Sequence, residues 1–262
     1  MNRFRESILK LLTLIVSTIP TTKSMGATQQ QANDYFDFVE RVTHFSPLEH
    51  AGSHGTIGIG LGVGVSVHEV TADGDVMRAH WRRPSDTEAS NQNRSAKIYL
   101  PRAYFHKGLP SSFDLGLSYG QDPVSQAALV SGYGQWTIFE GFALPSLAVR
   151  GAVTRLMGLA ATDATVLAAD LVASYGFLRV VTLYGALGQG RYQTRVHSGD
   201  SYGTSLALSV NEDSDVERVS TKFSRSMGVQ LQILPPFWTL ALESSQTGSG
   251  PTSFLGKISV GM

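Results

Sequence analysis

Few residues in this chain have the types and spacing that chemistry requires. His44-Phe45-Ser46 places a possible base and a possible nucleophile two positions apart, which could serve acyl transfer if a third group oriented the histidine. No third group can be named, and the pair falls at the predicted end of a helix. His197-Ser198 and Asp200 lie close in a long polar segment, where such proximity arises by chance. Glu212, Asp213 and Asp215 form an acidic run without the regular oxygen-ligand spacing of a calcium loop. The seven histidines show no spacing that resembles a metal site. The G-x-G runs at Gly58 to Gly64 are not a nucleotide fingerprint, because no helix follows them. With 21 basic and 21 acidic residues the formal net charge is zero, so no basic surplus exists to neutralise nucleic-acid phosphates. The expectation is a non-enzyme with no cofactor, no metal and no nucleic-acid partner.

The elements say more. Thr56 to Val67 reads T-I-G-I-G-L-G-V-G-V-S-V. Ile57, Ile59, Leu61, Val63, Val65 and Val67 alternate with Gly58, Gly60, Gly62, Gly64 and Ser66, a period of two and therefore a strand. A soluble antiparallel strand usually carries charge on its wet face. Here one face suits hydrocarbon and the other is nearly bare backbone, open to something packed close. Both a membrane barrel with a crowded interior and a Gly-rich strand of a soluble sandwich fit this stretch alone. At residues 1–26, Arg3, Arg5 and Lys10 precede the apolar run Leu11 to Ile19, then Pro20, Ser24 and Gly26. That is the plan of a secretory signal peptide, too short in its apolar run to span a bilayer as a helix. No other segment has the ~20 apolar residues of a transmembrane helix, so a membrane location demands a closed barrel. The absence of Cys fits an oxidising compartment without a disulfide framework.

The chain then divides into a plug or periplasmic segment at 27–54 and a barrel at 55–262. In the first, Tyr35, Phe36, Phe38, Val39 and Val42 recur at helical spacing among Asp34, Asp37, Glu40 and Arg41, with Pro47 beyond. This short amphipathic helix either enters the barrel or lies on the periplasmic membrane surface. As a plug it would set Phe36 and Val39 against Gly58, Gly60, Gly62 and Gly64. Alternating segments predict strands at about 56–69, 95–106, 113–121, 125–139, 144–157, 163–176, 178–194, 219–233 and 237–246, and a last one ending at Met262. The fold class is all-β, a closed antiparallel transmembrane β-barrel of about 10 strands with a short N-terminal helix. Twelve strands result if Val76 to Trp81 and Ser205 to Val210 are also extended. Tight connections at 107–112, 140–143, 176–178 and 234–237 fall on one side, and the long segments 70–94 and 195–218 on the other, the usual asymmetry of such barrels. Both termini are expected on the periplasmic side. Phe105, Phe113, Trp136, Phe139, Phe142, Phe177, Phe237 and Trp238 gather near the tight connections, as in an interfacial girdle.

Three stretches carry a family resemblance: K-G-L-P-S-S-F-D-L-G-L-S-Y at 107–119, P-S-L-A-V-R-G-A-V-T-R-L at 145–156 and L-A-L-E-S-S-Q-T-G at 240–248. In these, and in the acidic aromatic stretch Asp34 to Val42, the chain resembles a family of uncharacterised proteobacterial outer-membrane β-barrel proteins. The resemblance implies fold and location in the bacterial outer membrane, and no reaction. The C-terminal strand resembles those that the barrel-assembly machinery reads, although Met262 stands where Phe is usual. Outer-membrane lipid and that machinery are the expected partners.

Register arithmetic adds charge pairs. If the strands at 144–157 and 163–176 meet near residue 160, Arg150 faces Asp170, both inward. The same reasoning places Glu243 near Lys257. Opposite charges across a ladder inside a barrel should pair. They either rigidify a small lumen or form a charged pore constriction. The expected function is thus a structural barrel or narrow passive pore. One alternative is a conduit or binder for a hydrophobic small molecule, which inward Phe237 and Val172 would favour. Another is surface recognition through the segments 70–94 and 195–218.

Overall fold

The computed structural model describes residues 29–72, 77, 81, 97–140, 145–177, 180–197, 216–234 and 238–261. The segment 1–26 expected to be a signal peptide, Ser198, Asp200, Glu212, Asp213, Asp215, Ser205 to Val210, Phe142, Phe237 and Met262 lie outside the described residues. Helix α1 spans Gln29–Thr43. The strands are β1 Ile59–Glu69, β2 Lys97–Leu109, β3 Phe113–Gln121, β4 Ala128–Phe139, β5 Ser146–Met157, β6 Thr162–Phe177, β7 Val181–Val196, β8 Val216–Leu234, β9 Trp238–Thr247 and β10 Ser253–Gly261. Each pairs antiparallel with its neighbours in sequence, and β1 closes on β10 from Gly60↔Gly261 to Val67↔Phe254. Closure leaves no edge whose backbone groups need another partner.

The sheet closes with ten strands, so the twelve-strand alternative is excluded. At Val76 to Trp81, Trp81 N–H donates to the Met77 carbonyl at 2.9 Å. A bond to the residue four back cannot form within an extended strand.

Alternation decides the two faces. Leu61, Val63, Leu117, Leu167, Leu187, Met227 and Ile258 point outward and are exposed. The inward positions mix Gly, Ala, Ser and polar residues, as on β5, where Ala148, Arg150, Ala152 and Thr154 are buried, with a few larger apolar ones such as Leu100, Leu129 and Leu156. The connections 110–112, 178–180 and 235–237 share one end of the barrel, here the turn end. The segments 70–96 and 197–215 share the other, the loop end. Phe105, Trp136, Phe139, Phe177 and Trp238 are exposed near the turn end, and Tyr99, Tyr119 and Phe254 near the loop end. Two aromatic rings thus bound an apolar belt.

The N-terminal segment fills the lumen. Helix α1 sits at the loop end, where the Tyr35 hydroxyl meets Thr162 Oγ1 at 2.8 Å and Arg41 Nη2 donates to the Glu69 carbonyl at 2.6 Å. Thr43 Oγ1 donates to the Val39 carbonyl at 2.8 Å in the last turn. From there the chain descends in irregular form. His44 meets Tyr192, Glu49 meets Arg150, Ala51 meets Ser174 and His54 meets Asp114, each contact nearer the turn end than the one before. The described chain therefore begins at the loop end. Gly261 lies at the turn end, because the plug crosses the lumen once before β1 crosses back; residues 1–28 and Met262, on which the expectation for the two termini falls, lie outside the described residues.

Candidate functional site

The polar lining of the turn-end half comes from inward positions of five strands. His106 on β2, Asp114 on β3, Gln135 on β4, Arg150 on β5 and Lys257 on β10 are all buried. Buried polar groups need hydrogen-bond partners inside the barrel. The descending segment supplies them. Lys257 Nζ binds Glu49 Oε1 and donates to the Pro47 carbonyl at 2.9 Å. Arg150 Nη2 donates to the Glu49 carbonyl at 2.9 Å. Gln135 Nε2 donates to the His50 carbonyl at 3.0 Å, and Thr137 Oγ1 to the Ala51 carbonyl at 2.7 Å. Going the other way, Ala51 N–H donates to Ser174 Oγ and His54 N–H to Asp114 Oδ1, both at 3.1 Å. An irregular backbone buried in a barrel has no ladder of its own, and these side chains take the ladder's place.

Glu49 is the centre of this cluster. Beside Lys257, its Oε1 lies 3.4 Å from His106 Nδ1 and its Oε2 lies 3.6 Å from His54 Nε2. The other ring nitrogen of His54 is 3.6 Å from Asp114 Oδ1. The His54 and His106 rings stand 4.3 Å apart between centroids.

The glycines of β1 serve this arrangement rather than the helix. A Cβ at Gly60 would fall on the His106 ring, and one at Gly62 would lie 3.0 Å from Ser259 Cβ and 3.3 Å from Lys257 Cδ. Gly58 faces His54, and Gly64 faces the Gly256 carbonyl. Phe36 and Val39 instead pack in the loop-end cluster with Leu100, Leu129, Leu156 and Val196. The expected contact between them and Gly58, Gly60, Gly62 and Gly64 is therefore corrected. The helix occupies the loop end, whereas the glycines lie in the turn-end part of β1. The filler of the bare face is side chains from β2 and β10 lying flat across it.

Arg150 and Asp170 stand directly opposite in the ladder, both inward and buried. The Arg150 guanidinium nevertheless turns to Gln135 Oε1, at 3.0 Å from Nε and 2.7 Å from Nη2, and to the Glu49 carbonyl. Asp170 Oδ1 accepts from Ser224 Oγ at 3.4 Å. Both line a cavity of about 10 Å³ beside His44 and Ser46, room for one water at most. Glu243 and Lys257 are also inward and buried, but Glu243 stands opposite Leu255 and Lys257 opposite Ala241. That two-residue offset separates them along the ladder, and Lys257 reaches Glu49 instead. His44 Nδ1 is engaged by the Tyr192 hydroxyl at 2.8 Å, and Ser46 Oγ accepts from Leu48 N–H at 3.4 Å. His197 meets Asp163 at 3.1 Å on the exposed rim. Val172 packs with Ala51, Ala148 and Ala186.

Sequence reasoning missed Glu49, His54, His106, Asp114 and Gln135. The inward parity of the last three was readable from strand alternation. Glu49 and His54 carry no period, and only the position of the plug reveals them.

A closed sheet of even strand number, with an apolar belt between aromatic rings and a packed polar interior, defines a transmembrane β-barrel. Single-chain barrels of this build span the bacterial outer membrane, and this chain is an outer-membrane protein. No protein-family model matches the sequence, and a search of curated proteins gives no match. Among solved structures, the chain is similar to Ail, the attachment invasion locus protein of Yersinia pestis, at 11% identity and TM-score 0.30, over 79% of this chain and 96% of that one. Neisserial surface protein A is similar at 10% identity and TM-score 0.28, over 78% and 92%. The N-terminal β-barrel domain of Pseudomonas aeruginosa OprF is similar at 12% identity and TM-score 0.28, over 79% and 97%. Likenesses this loose add nothing to what the closed sheet itself shows.

Proposed function

We propose that this protein is a non-catalytic, structural outer-membrane barrel held shut by its own N-terminal segment. The observation that carries the reading is the set of bonds from Lys257, Arg150, Gln135 and Thr137 to the backbone of residues 47–51. Lumen side chains that grip a plug at successive carbonyls fix it in place, and a mobile gate would not need them. The charges at Arg150, Lys257 and Glu49 then act as fasteners. They do not line a constriction, because the plug occupies the path that ions would take. The partners of this reading are membrane lipid around the belt and, during insertion, the barrel-assembly machinery that would read the strand ending at Met262.

Planar-bilayer recording of the folded, signal-free chain tests this reading. Insertion is checked by heat-dependent gel mobility and by protection of the belt from protease. Silence at moderate voltage is the expected result. Steady unitary conductance from the intact chain would favour a narrow passive pore and overturn the closed reading.

A further inference from the structure

We propose that Glu49, His54 and His106 form a binding site for a divalent transition-metal ion of the zinc class at the turn-end mouth of the lumen. One ligand atom from each of the three lies within 4.8 Å of the others. A tetrahedral ion with bonds of about 2.0–2.1 Å holds its ligand atoms about 3.3–3.4 Å apart. The edge from His54 Nε2 to Glu49 Oε2, at 3.6 Å, lies close to that value, and His106 Nδ1 stands 3.4 Å from the other oxygen of the same carboxylate, Oε1. Two imidazoles and one carboxylate suit zinc, whereas calcium and magnesium demand oxygen donors.

Three further observations fit a ligand set. Asp114 stands behind His54 with Oδ1 3.6 Å from Nδ1, the carboxylate–histidine arrangement that orients a metal-bound imidazole. Its Oδ2 and the His54 Nδ1 are buried and have no hydrogen-bond partner, a state that a reoriented, metal-held His54 would relieve. Gly60 leaves the space that the His106 ring occupies. An entry path also exists. His54 lines an open cavity of about 420 Å³ at the turn end, with Ser53, Thr56, Ser111, Ser112 and Glu140. Lys257 opposes the ion, because its ammonium shares the Glu49 carboxylate. The geometry leaves Oε2 for the metal while Lys257 keeps Oε1. The ligands come from positions 49, 54 and 106, so no local spacing in the sequence discloses them.

Cobalt(II) is the probe, added to the folded, metal-free, full barrel in detergent. The expected result is one Co²⁺ per chain, displaced by Zn²⁺, with the intense visible bands of four-coordinate cobalt. His106→Ala should weaken binding by more than about 100-fold, and Asp114→Asn by about 10–100-fold. Lys257→Met should tighten it by about tenfold or more, because a like charge is removed. Heat-dependent gel mobility reports the folding of each variant. Wild-type barrel that is folded and takes up no Co²⁺ would overturn the site, and so would a six-coordinate spectrum. Unchanged uptake in a folded His54→Ala/His106→Ala double variant would overturn it too. Should that double variant not fold, Co²⁺ affinity left unchanged by Asp114→Asn and equally unchanged by Lys257→Met, each made alone, would have the same force.

Discussion

The two halves of the lumen are filled by opposite chemistries. At the loop end, Tyr35, Phe36, Phe38, Val39 and Val42 of α1 pack against Trp81, Leu100, Leu129, Leu156 and Val196. Phe38 meets Trp81 edge-on at 5.3 Å between ring centroids. The charges of α1 lie on its other face, where Asp37 and the buried Glu40 meet Arg218 and Lys222 of β8 at 2.6–3.6 Å and Arg41 reaches the Glu69 carbonyl. At the turn end the order is reversed. Below Phe45 and Leu48, which pack with Tyr104, Tyr133 and Leu255, the irregular segment brings Glu49 among Arg150, Lys257, His106 and Asp114, all buried. The difference follows from backbone form. A helix satisfies its own hydrogen bonds and can offer an apolar surface, so non-directional burial suffices to hold it. An irregular segment brings unpaired N–H and C=O groups into the barrel, and polar side chains must satisfy them. The helix provides bulk, and the segment below it provides position.

The largest effect should come from the centre of the polar half. Glu49→Ala leaves Lys257 buried beside an uncompensated site, and stranding one partner of a buried pair costs about 3–5 kcal/mol. Adding Lys257→Ala should cost less than the sum of the two single changes, because the stranded charge is then gone. Urea unfolding in detergent with a metal chelator present measures this, and additive costs would mean that the two do not interact. In the apolar half, Val39→Ala removes about two methylene equivalents from a filled cluster. The expected loss is about 2 kcal/mol, the transfer value for those groups with a small cavity contribution. The two halves also differ in salt response. Raising ionic strength should leave the Val39→Ala difference unchanged, and equal salt dependence at both sites would remove the distinction drawn between them.

Much of the barrel was legible because alternation is a local signal. Thr56 to Val67 announces its faces without any other part of the chain, and β3 runs over Phe113–Gln121, as its pattern predicts. The Arg150–Asp170 register was readable because parity and one turn position fix a ladder. Three features were not legible. The depth of α1 depends on the length of the descent from His44 to Gly55, and that segment has no period to count. The filler of the glycine face was assigned to the plug because bare backbone implies an occupant without saying which. The Lys257–Glu49 pair joins residues more than two hundred positions apart, one of them on a segment without regular structure. Strand patterns encode who is inward. They do not encode what an aperiodic segment brings to meet them.

The smallest expected effect is the coupling between Arg150 and Asp170, and it separates ladder position from side-chain contact. The two Cα atoms are direct partners, yet the guanidinium bonds to Gln135 and to the Glu49 carbonyl. Ladder position alone predicts strong coupling between Arg150→Ala and Asp170→Ala. The side-chain geometry predicts otherwise. Arg150→Ala should be costly, because it leaves Gln135 Oε1 and the Glu49 carbonyl buried without a donor, at about 1–3 kcal/mol for each unsatisfied group. Asp170→Ala should cost less, since its bond to Ser224 is long at 3.4 Å. The Arg150/Asp170 cycle should then show coupling of about 0.5 kcal/mol, near the limit of independence for separate sites. The Arg150/Gln135 cycle, with Gln135→Ala, should show at least twice that. Both cycles can be read from urea midpoints of the folded barrel in one detergent. Stronger coupling to Asp170 than to Gln135 would mean that the guanidinium swings across the ladder in solution, and the plug would then have lost one of its fasteners.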